Sequence, residues 1–553
     1  MWKKHPKALP FLFFSEMWER FGYYLMIGIF TFYLKDKADG FGMNEKESAS
    51  LYGTFIALVF FTPFIGGLLA DRYLGYRRSI VLGGLLMGVG YCMMGINTIP
   101  MLYLAMTLVI VGNGFFKPNI STLLGNVYST PQYMKQKDEG YNIFYMGINV
   151  GAFICNFFGA ALYTKFEWTA AFAGAGIGMF LGVAIFLWGT RHYKAYDTRK
   201  PLQPGDMSLL KIFALVILPC LVFGAIGYFI KGTGDKNNFI FDSDSTDAFI
   251  FACIPVIAFY VTLLVRSNKQ ERPPMAAMLA IFAVVILFWA IFKQNGSALN
   301  TWASRYTDRE VSGTTGKILS FLAQTDKPEK TTYVLDTMPK LDNQFREIKI
   351  NDSTVATEIT YPSYFKNVRP DKLPKDGETV KAWVPSLSQS INPFWVIVLT
   401  PLVVAFFTWL RRKGKEPSTP TKIAFGLLIS ALSVLVMIAA VKAGNNGAEK
   451  VSVWWLIGSY GVITIGELFL SPMGLSLVSK LSPVRITSLM MGGWFLSTSI
   501  GNKLSGILAS KWDQYDNKAS YFWLNFILLG AAALLLFILL KWLNKVMKSK
   551  GVN

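Results

Sequence analysis

Apolar runs of about 18 or more residues recur along most of this 553-residue chain. As a helix, each run is long enough to cross roughly 30 Å of hydrocarbon. Charged residues make up only 16% of the sequence, against about 25% in ordinary soluble domains. Because backbone polar groups in lipid must be satisfied internally, such runs predict membrane-spanning helices. We therefore expect an all-α polytopic membrane protein.

The apolar runs fall into groups of six, two and six, which gives about 14 spans. They cover residues 9–34, 48–70, 79–97, 99–127, 140–163 and 168–189, then 209–231 and 248–266, then 275–300, 392–410, 421–441, 452–478, 485–509 and 520–543. Two six-helix bundles with a two-helix insertion would match the plan of major facilitator transporters, whose substrate site lies between the halves. The sequence shows no clear repeat between the halves, so this prediction depends on span count and loop charge.

This plan predicts five segments along the chain. They are an N-terminal six-helix bundle (1–190), a cytoplasmic linker with the inserted hairpin (191–274), the seventh transporter span (275–302), an extracytoplasmic insertion (303–391), and the remaining five spans with a basic tail (392–553). The insertion has 13 Lys/Arg, 12 Asp/Glu and no spanning run. Short β-prone pieces predict a small, partly β lobe there. Whether the lobe is decorative or recruits a substrate or partner stays open.

The net charge of +20 is not spread evenly. Basic residues cluster in alternate connections between spans: Arg72, Arg77, Arg78; Arg191, Lys194, Arg199, Lys200; Arg411, Arg412, Lys413, Lys415; Lys541, Lys545, Lys548, Lys550. This distribution is expected to place those loops and both termini in the cytoplasm. A nucleic-acid partner would need a basic soluble domain, which the sequence lacks. The apolar N-terminal run has no cleavage site, so we interpret it as a retained first span.

Six ionisable residues lie inside the predicted spans, where each costs several kcal/mol unless paired or hydrated. They are three acids and three bases: Glu16, Glu19, Arg20, Lys117, Lys293 and Glu467. The first three share one helical face, which the hydroxyl of Tyr23 extends. Buried ion pairs could hold the bundle together, but they are weak stabilisers, so a hydrated pathway is favoured. Protonating one glutamate would free a base to attract an anionic substrate group, which couples protons to transport.

Nothing in the sequence predicts a metal or cofactor site. The four cysteines, Cys92, Cys155, Cys220 and Cys253, fall in apolar runs without metal-ligand spacing. The two histidines, His5 and His192, lie near span ends. A membrane enzyme or respiratory subunit would need a nucleophile–base set or metal ligands, so we expect no enzyme and no cofactor apart from protons as the coupling ion. Prolines within spans (Pro63, Pro118, Pro401 and Pro472) are kinks or gating hinges.

Several motifs resemble those of the proton-dependent oligopeptide transporters, the POT family of the major facilitator superfamily, in its bacterial type. EMWERFGYY resembles the ExxERFxYY motif of the first span, and GGLLADRYLGYRR resembles the loop between spans two and three. YNIFYMGINVGA, GFFKPNIS, INPFW, GELFLSPMG and MMGGWFLSTSIGN look like the motifs of later spans. The matches cover nearly everything except residues 303–391, and the inserted hairpin resembles the extra helix pair of bacterial members.

The resemblance implies a multi-pass symporter of the inner membrane that imports di- and tripeptides with protons by alternating access and functions as a monomer. It implies proton coupling by Glu16, Glu19, Arg20 and Lys117. The implied substrate-binding residues are Tyr23, Tyr24, Lys117, Asn149, Lys293, Asn392, Glu467, Trp494 and Phe495. In this set Glu467 receives the peptide amino terminus and Lys117 its carboxylate. The two tyrosines and two asparagines lie beside the peptide, and Trp494 and Phe495 shape side-chain pockets.

Two positions depart from the family pattern. Lys293 stands where the family usually has an acid that pairs with the fourth-span lysine, and Ile27 stands where many members have an arginine. We interpret Lys293 as replacing the missing positive charge while Lys117 turns toward the first-span glutamates; on this interpretation Lys293→Ala abolishes peptide uptake. Alternative functions are a transporter of the same fold for nitrate or another small solute, and a membrane receptor with residues 303–391 as its ligand domain.

Overall fold

The computed structural model describes most of the chain. The described residues are 5–36, 38–43, 45–128, 130–133, 137–197, 208–230, 240, 244–310, 385–482 and 487–549, with the short stretches 329–332, 336–339, 349–351, 354–355, 357–360 and 379–383.

Helices dominate the described residues. They are α1 (Ala8–Lys35), α2 (Glu45–Phe61), α3 (Pro63–Leu69), α4 (Tyr76–Met94), α5 (Ile99–Val127), α6 (Lys137–Gly189), α7 (Leu209–Ile212), α8 (Leu218–Phe229), α9 (Asp244–Arg266), α10 (Arg272–Phe292), α11 (Ala298–Arg305), α12 (Ile391–Arg412), α13 (Thr419–Ala443), α14 (Val453–Leu481), α15 (Thr487–Ser510) and α16 (Lys518–Ser549).

Several of these helices are interrupted. Helix α6 contains non-helical backbone at Phe166 and Glu167, so it consists of two helices joined by a kink. Pro63 begins α3, where its missing N–H costs no helical hydrogen bond, whereas Pro118, Pro401 and Pro472 lie inside α5, α12 and α14. An internal proline removes one backbone donor and permits a bend, so both interpretations of these prolines, kink and hinge, are still open.

Ten helical stretches in the described part of the chain are long and apolar enough to cross a membrane. The protein is therefore a multi-pass helical membrane protein, as its composition predicts. Helix α1 is not among the ten, and it is the helix that carries Glu16, Glu19 and Arg20. The total of 14 crossings stays a prediction.

The buried apolar side chains form two large clusters. One contains residues between 8 and 193, and the other contains residues between 216 and 547. Glycines let the helices of the first cluster approach closely. A Cβ at Gly22 would lie 2.7 Å from the carbonyl oxygen of Ala175, and one at Gly112 would lie 2.6 Å from that of Gly83. Such contacts replace the hydrophobic effect as the means of holding helices together in lipid.

Polar contacts join the two halves of the chain near one end of the helices. The Ser499 hydroxyl donates to the Ala57 carbonyl at 2.6 Å, and Lys503 Nζ donates to Thr54 Oγ1 at 3.0 Å. These residues connect α15 to α2 at the end opposite the basic loops. Helices α6 and α12 also meet, where the Ser390 hydroxyl donates to the Phe153 carbonyl at 3.0 Å.

Short antiparallel strands occur within the insertion. They are β1 (Glu329–Thr332), β2 (Asp336–Pro339), β3 (Lys349–Asn351), β4 (Thr354–Val355), β5 (Thr357–Thr360) and β6 (Thr379–Ala382). β1 pairs with β6, β2 with β5, and β3 with β4. Most residues between 311 and 378 lie outside the described part of the chain, so the predicted lobe stays a prediction.

Candidate functional site: a charged central cavity

A cavity of about 1410 Å³ lies between the two halves of the chain, with walls from α1, α2, α5 and α6 on one side and α10, α12, α14 and α15 on the other. Its volume exceeds the roughly 300–1,000 Å³ of ordinary small-molecule pockets. The cavity extends as far as Arg411, Lys422 and Lys548, at the basic end of the helices. Toward the other end lie the hydrogen bonds between α2 and α15.

The ionisable face of α1 forms part of the first wall. Arg20 donates from its guanidinium to both carboxylate oxygens of Glu19, which is fully buried behind the wall. Glu16 lines the cavity, and its Oε1 lies 3.6 Å from Arg20 Nε. Its second oxygen, Oε2, has no hydrogen-bond partner among the described residues. Of the two acids, Glu16 therefore has the weaker contacts with Arg20, and it is the one that faces the cavity.

Asn113 and Tyr23 complete the surroundings of Arg20. Asn113, fully buried in α5, accepts a hydrogen bond from Arg20 Nη2 at 3.4 Å and donates to the Val59 carbonyl at 2.7 Å. The Tyr23 ring centroid lies 4.9 Å from the guanidinium carbon, a cation–π distance. Arg20 is thus held in place by α1 and α5, and Glu16 is the member of this group whose contacts can change most easily.

A second acid, Glu467 of α14, lies on the opposite wall. Asn392 Nδ2 donates to Glu467 Oε2 at 3.0 Å and is also 2.9 Å from Thr464 Oγ1. Tyr145, which belongs to α6 in the other half, donates its hydroxyl to Glu467 Oε1 at 3.4 Å. The Asn149 side chain donates to the Tyr145 carbonyl one turn below. The Glu467 side chain therefore links both halves of the chain, and it lies in a polar cluster that could accept an ammonium group.

Two lysines lie close to the same aromatic ring. Lys117 Nζ lies 3.8 Å from the Phe60 ring centroid, and Lys293 Nζ lies 5.3 Å from the same centroid. Among the described residues, neither ammonium group has a carboxylate within 4.0 Å. We predicted that Lys117 turns toward the first-span glutamates, but it forms no ion pair with them. Its side chain packs over the ring of Phe60 in α2 instead.

The short 3₁₀ turn that carries Lys293 is anchored from behind. Gln294 is buried, and its Oε1 accepts hydrogen bonds from the Tyr521 hydroxyl at 2.9 Å and from Asn525 Nδ2 at 3.1 Å. Asn525 Oδ1 accepts from Gln294 Nε2 at 3.3 Å. This paired amide contact fixes the direction in which the turn presents Lys293 to the cavity.

Every site residue predicted from the sequence lines this cavity except Glu19. Trp494 is buried and packs edge-on against Phe282. The ring centroid of Phe495 lies 5.8 Å from Lys117 Nζ. Ile27 also lies on the wall, so an arginine there would have faced the same space. Sequence reasoning missed Phe60, Tyr145 and Asn113. Only Tyr145 had a usable signal, since it lies one helical turn before Asn149 in the YNIFYMGIN motif.

An ion-pair network lies at the basic mouth of the cavity, in the connection between α12 and α13. Arg411 Nε and Lys422 Nζ each lie 2.6 Å from a Glu416 carboxylate oxygen. The hydrogen bonds from Arg411, followed by those from Lys422, lower the pKa of Glu416 to about 2. In the described part of the chain, no cluster of His, Cys, Asp and Glu side chains could hold a metal ion.

Comparison with known proteins gives consistent matches. The sequence profile of the POT family matches residues 77–324 and 383–524. The chain is 28% identical over 510 residues to a di-/tripeptide transporter of Lactococcus lactis subsp. cremoris, covering 90% of this chain and 88% of that protein. It is 28% identical over 509 residues to dipeptide and tripeptide permease A of Salmonella typhimurium, covering 92% and 84%. A crystal structure of the peptide transporter POT in complex with sulfate superposes with a TM-score of 0.72 at 26% identity, covering 99% of this chain and 97% of that one.

Proposed function

The chain belongs to the POT family, and on that premise we propose that it imports di- and tripeptides together with protons across the inner membrane. The observation that carries this proposal is the arrangement of opposite charges on the cavity walls. A hydrogen-bonded acid, Glu467, lies on the wall formed by α10, α12, α14 and α15. Lys117, which has no carboxylate within 4.0 Å among the described residues, lies on the opposite wall, and Lys293 at the end of α10 contacts the same aromatic ring as Lys117. A peptide is a zwitterion, so its two ends find complementary partners.

In this proposal the peptide ammonium group binds to Glu467, whose carboxylate is oriented by hydrogen bonds from Asn392 and Tyr145. The peptide carboxylate binds to Lys117. Nitrate, the alternative cargo, would use only the two lysines and would leave Glu467 without a ligand. The named relatives are also peptide transporters.

Glu16 is the proton acceptor in this mechanism, because it faces the cavity and its Oε2 has no partner among the described residues. Protonation neutralises the carboxylate and weakens its 3.6 Å contact with Arg20. Arg20 keeps both contacts with Glu19, so the surplus positive charge is offset only when an anionic group enters the cavity. Proton binding therefore favours binding of the peptide carboxylate, which is the coupling that symport requires.

Release takes place at the basic end, which the loop charges assign to the cytoplasm. The cavity already extends to Lys422 and Lys548 at that end, so this is an inward-facing arrangement. Opening toward the other side must break the hydrogen bonds of Ser499 and Lys503 to α2. One chain supplies all of these residues, so we propose a functional monomer with no cofactor other than the proton.

Uptake of radiolabelled dialanine into proteoliposomes tests the proposal. An inward proton gradient should drive accumulation above the external concentration, and an uncoupler should abolish it. Unlabelled tri-alanine should compete, whereas free alanine and nitrate should not. Accumulation that ignores the gradient would contradict symport, and competition by nitrate but not by peptides would contradict the substrate class.

A further inference from the structure

Lys117 and Lys293 come from different halves of the chain but share one aromatic partner, Phe60. Both nitrogens are within cation–π range of its ring, so they can be no farther apart than the sum of 3.8 Å and 5.3 Å. Both line the cavity. The anchored turn at Gln294 presents Lys293 to this position, so the pairing of the two cations is built into the fold.

Two ammonium groups within this distance repel each other, and the ring only partly offsets the repulsion. Nearby acids do not remove it. Glu467 attracts Lys293, and Glu16 and Glu19 attract Lys117, but no described carboxylate is within ion-pair distance of either nitrogen. An entering group with two negative charges would stabilise both lysines at once.

The charge count points the same way. The cavity group holds the acids Glu16, Glu19 and Glu467 and the bases Arg20, Lys117 and Lys293. With the other five groups ionised, uptake of a proton by Glu16 leaves one positive charge in surplus. Arg20 is held by Glu19, so the surplus lies at the two lysines. The carboxylate of a zwitterionic dipeptide offsets this charge locally, but its ammonium group adds one positive charge elsewhere in the cavity. A dipeptide with one acidic side chain carries a single net negative charge, which cancels the surplus in the cavity as a whole.

We propose that Lys117 and Lys293 form a two-cation subsite that gives this transporter a preference for peptides with an acidic side chain. The inference rests on the proposed function and specifies its substrate class. The terminal carboxylate binds to Lys117 and the side-chain carboxylate binds to Lys293. A C-terminal glutamate carries both groups on one residue, so Ala-Glu can reach both cations while its amino end binds to Glu467.

Calorimetric titration of the purified full-length protein with Ala-Glu and Ala-Gln tests the subsite. The two peptides have the same shape, ends and length, and at about pH 7 they differ only in the side-chain charge. The wild-type protein should bind Ala-Glu at least about tenfold more tightly. In K293Q this ratio should fall to about one, whereas K293R should retain a preference. K548Q, which removes an exposed cation at the mouth of the same cavity, should keep the wild-type ratio.

Equal wild-type binding of the two peptides would overturn the inference, because both lysines would then share the terminal carboxylate. An unchanged ratio in K293Q would overturn it as well, since the preference would come from elsewhere. Gradient-driven uptake of dialanine separates the two levels of the proposal. If dialanine is accumulated but Ala-Glu is not preferred, only the subsite is wrong. If no dipeptide is bound or transported, the proposed function fails and the subsite fails with it.

Discussion

Replacing Glu467 with glutamine removes one negative charge from the cavity wall and leaves the side-chain size unchanged. Asn392 and Tyr145 lie 3.0 and 3.4 Å from different oxygens of Glu467. In E467Q the amide oxygen can still accept from Asn392, and the amide N–H can donate to the Tyr145 hydroxyl oxygen. What is lost is the attraction for the peptide ammonium group. At a salt-bridge distance of about 3 Å and an effective dielectric constant of about 20, that attraction is about 5–6 kcal/mol.

Part of this attraction offsets the cost of taking the ammonium group out of water, so a net loss of about 3 kcal/mol is expected. Since about 1.4 kcal/mol corresponds to a tenfold change in the dissociation constant, E467Q should bind dialanine about 100-fold more weakly. Calorimetric titration of both proteins with dialanine and with its analogue lacking the amino group forms a thermodynamic cycle. The coupling energy of that cycle isolates the charge pair from any rearrangement of the wall.

The analogue should bind to wild-type protein and E467Q with nearly equal affinity, because it has no ammonium group to lose. E416Q, the same substitution at the cavity mouth, should leave dialanine affinity unchanged, since Arg411 and Lys422 already occupy that carboxylate. A coupling energy near zero, with both ligands weakened alike, would refute the assignment of the peptide amino end to Glu467.

Three further predictions concern single acids and bases. E16Q should lose gradient-driven accumulation of dialanine but retain exchange of internal for external peptide across the proteoliposome membrane, since only the proton acceptor is removed. Accumulation by E16Q at the wild-type level would contradict this. The hydrogen bonds from Arg411 and Lys422 hold the pKa of Glu416 at about 2, below its ordinary 4.5, so Glu416 stabilises the fold fully above about pH 4.5 and loses this effect as the pH falls toward 2. Thermal melting of E416Q should therefore decline less over that range than melting of wild type, and parallel curves would be inconsistent with it. Burial lowers the pKa of Lys450 from 10.5 to about 7. As the pH rises from about 7 to 10.5, Lys450 is deprotonated in the folded state but still protonated in the unfolded state, so the wild-type melting temperature should gain a stabilising contribution over that range. K450M should lack this contribution, and an identical pH dependence of melting in the two proteins would contradict the prediction.

The local features of the site were predictable from the sequence because they follow from helical spacing. Glu16, Glu19 and Arg20 share a face of α1 at intervals of three and four residues, and the structure joins them by ion pairs. Their presence in an apolar run by itself predicts a hydrated cavity. The membrane class followed from the same apolar runs, since length and hydropathy are properties of single segments.

Contacts between distant segments could not be predicted in the same way. Lys117 and Lys293 are far apart in the sequence, and no spacing rule indicates that both ammonium groups lie close to the ring of Phe60. Phe60 is one apolar residue in an apolar helix, where an aromatic side chain has no distinguishing pattern. The predicted contact between Lys117 and the glutamates was based on charge alone. The fold instead places the ring of Phe60 3.8 Å from the Lys117 ammonium nitrogen.

The central claim is that peptide entry is coupled to proton entry, with Glu16 taking up the proton. The most direct test is the internal pH of proteoliposomes that contain a pH-sensitive dye and have an inside-negative potential but no initial pH gradient. Adding dialanine should acidify the interior of vesicles with wild-type protein, while vesicles with E16Q should show no acidification above the protein-free background. Dialanine uptake by the wild-type protein without any acidification would contradict the account.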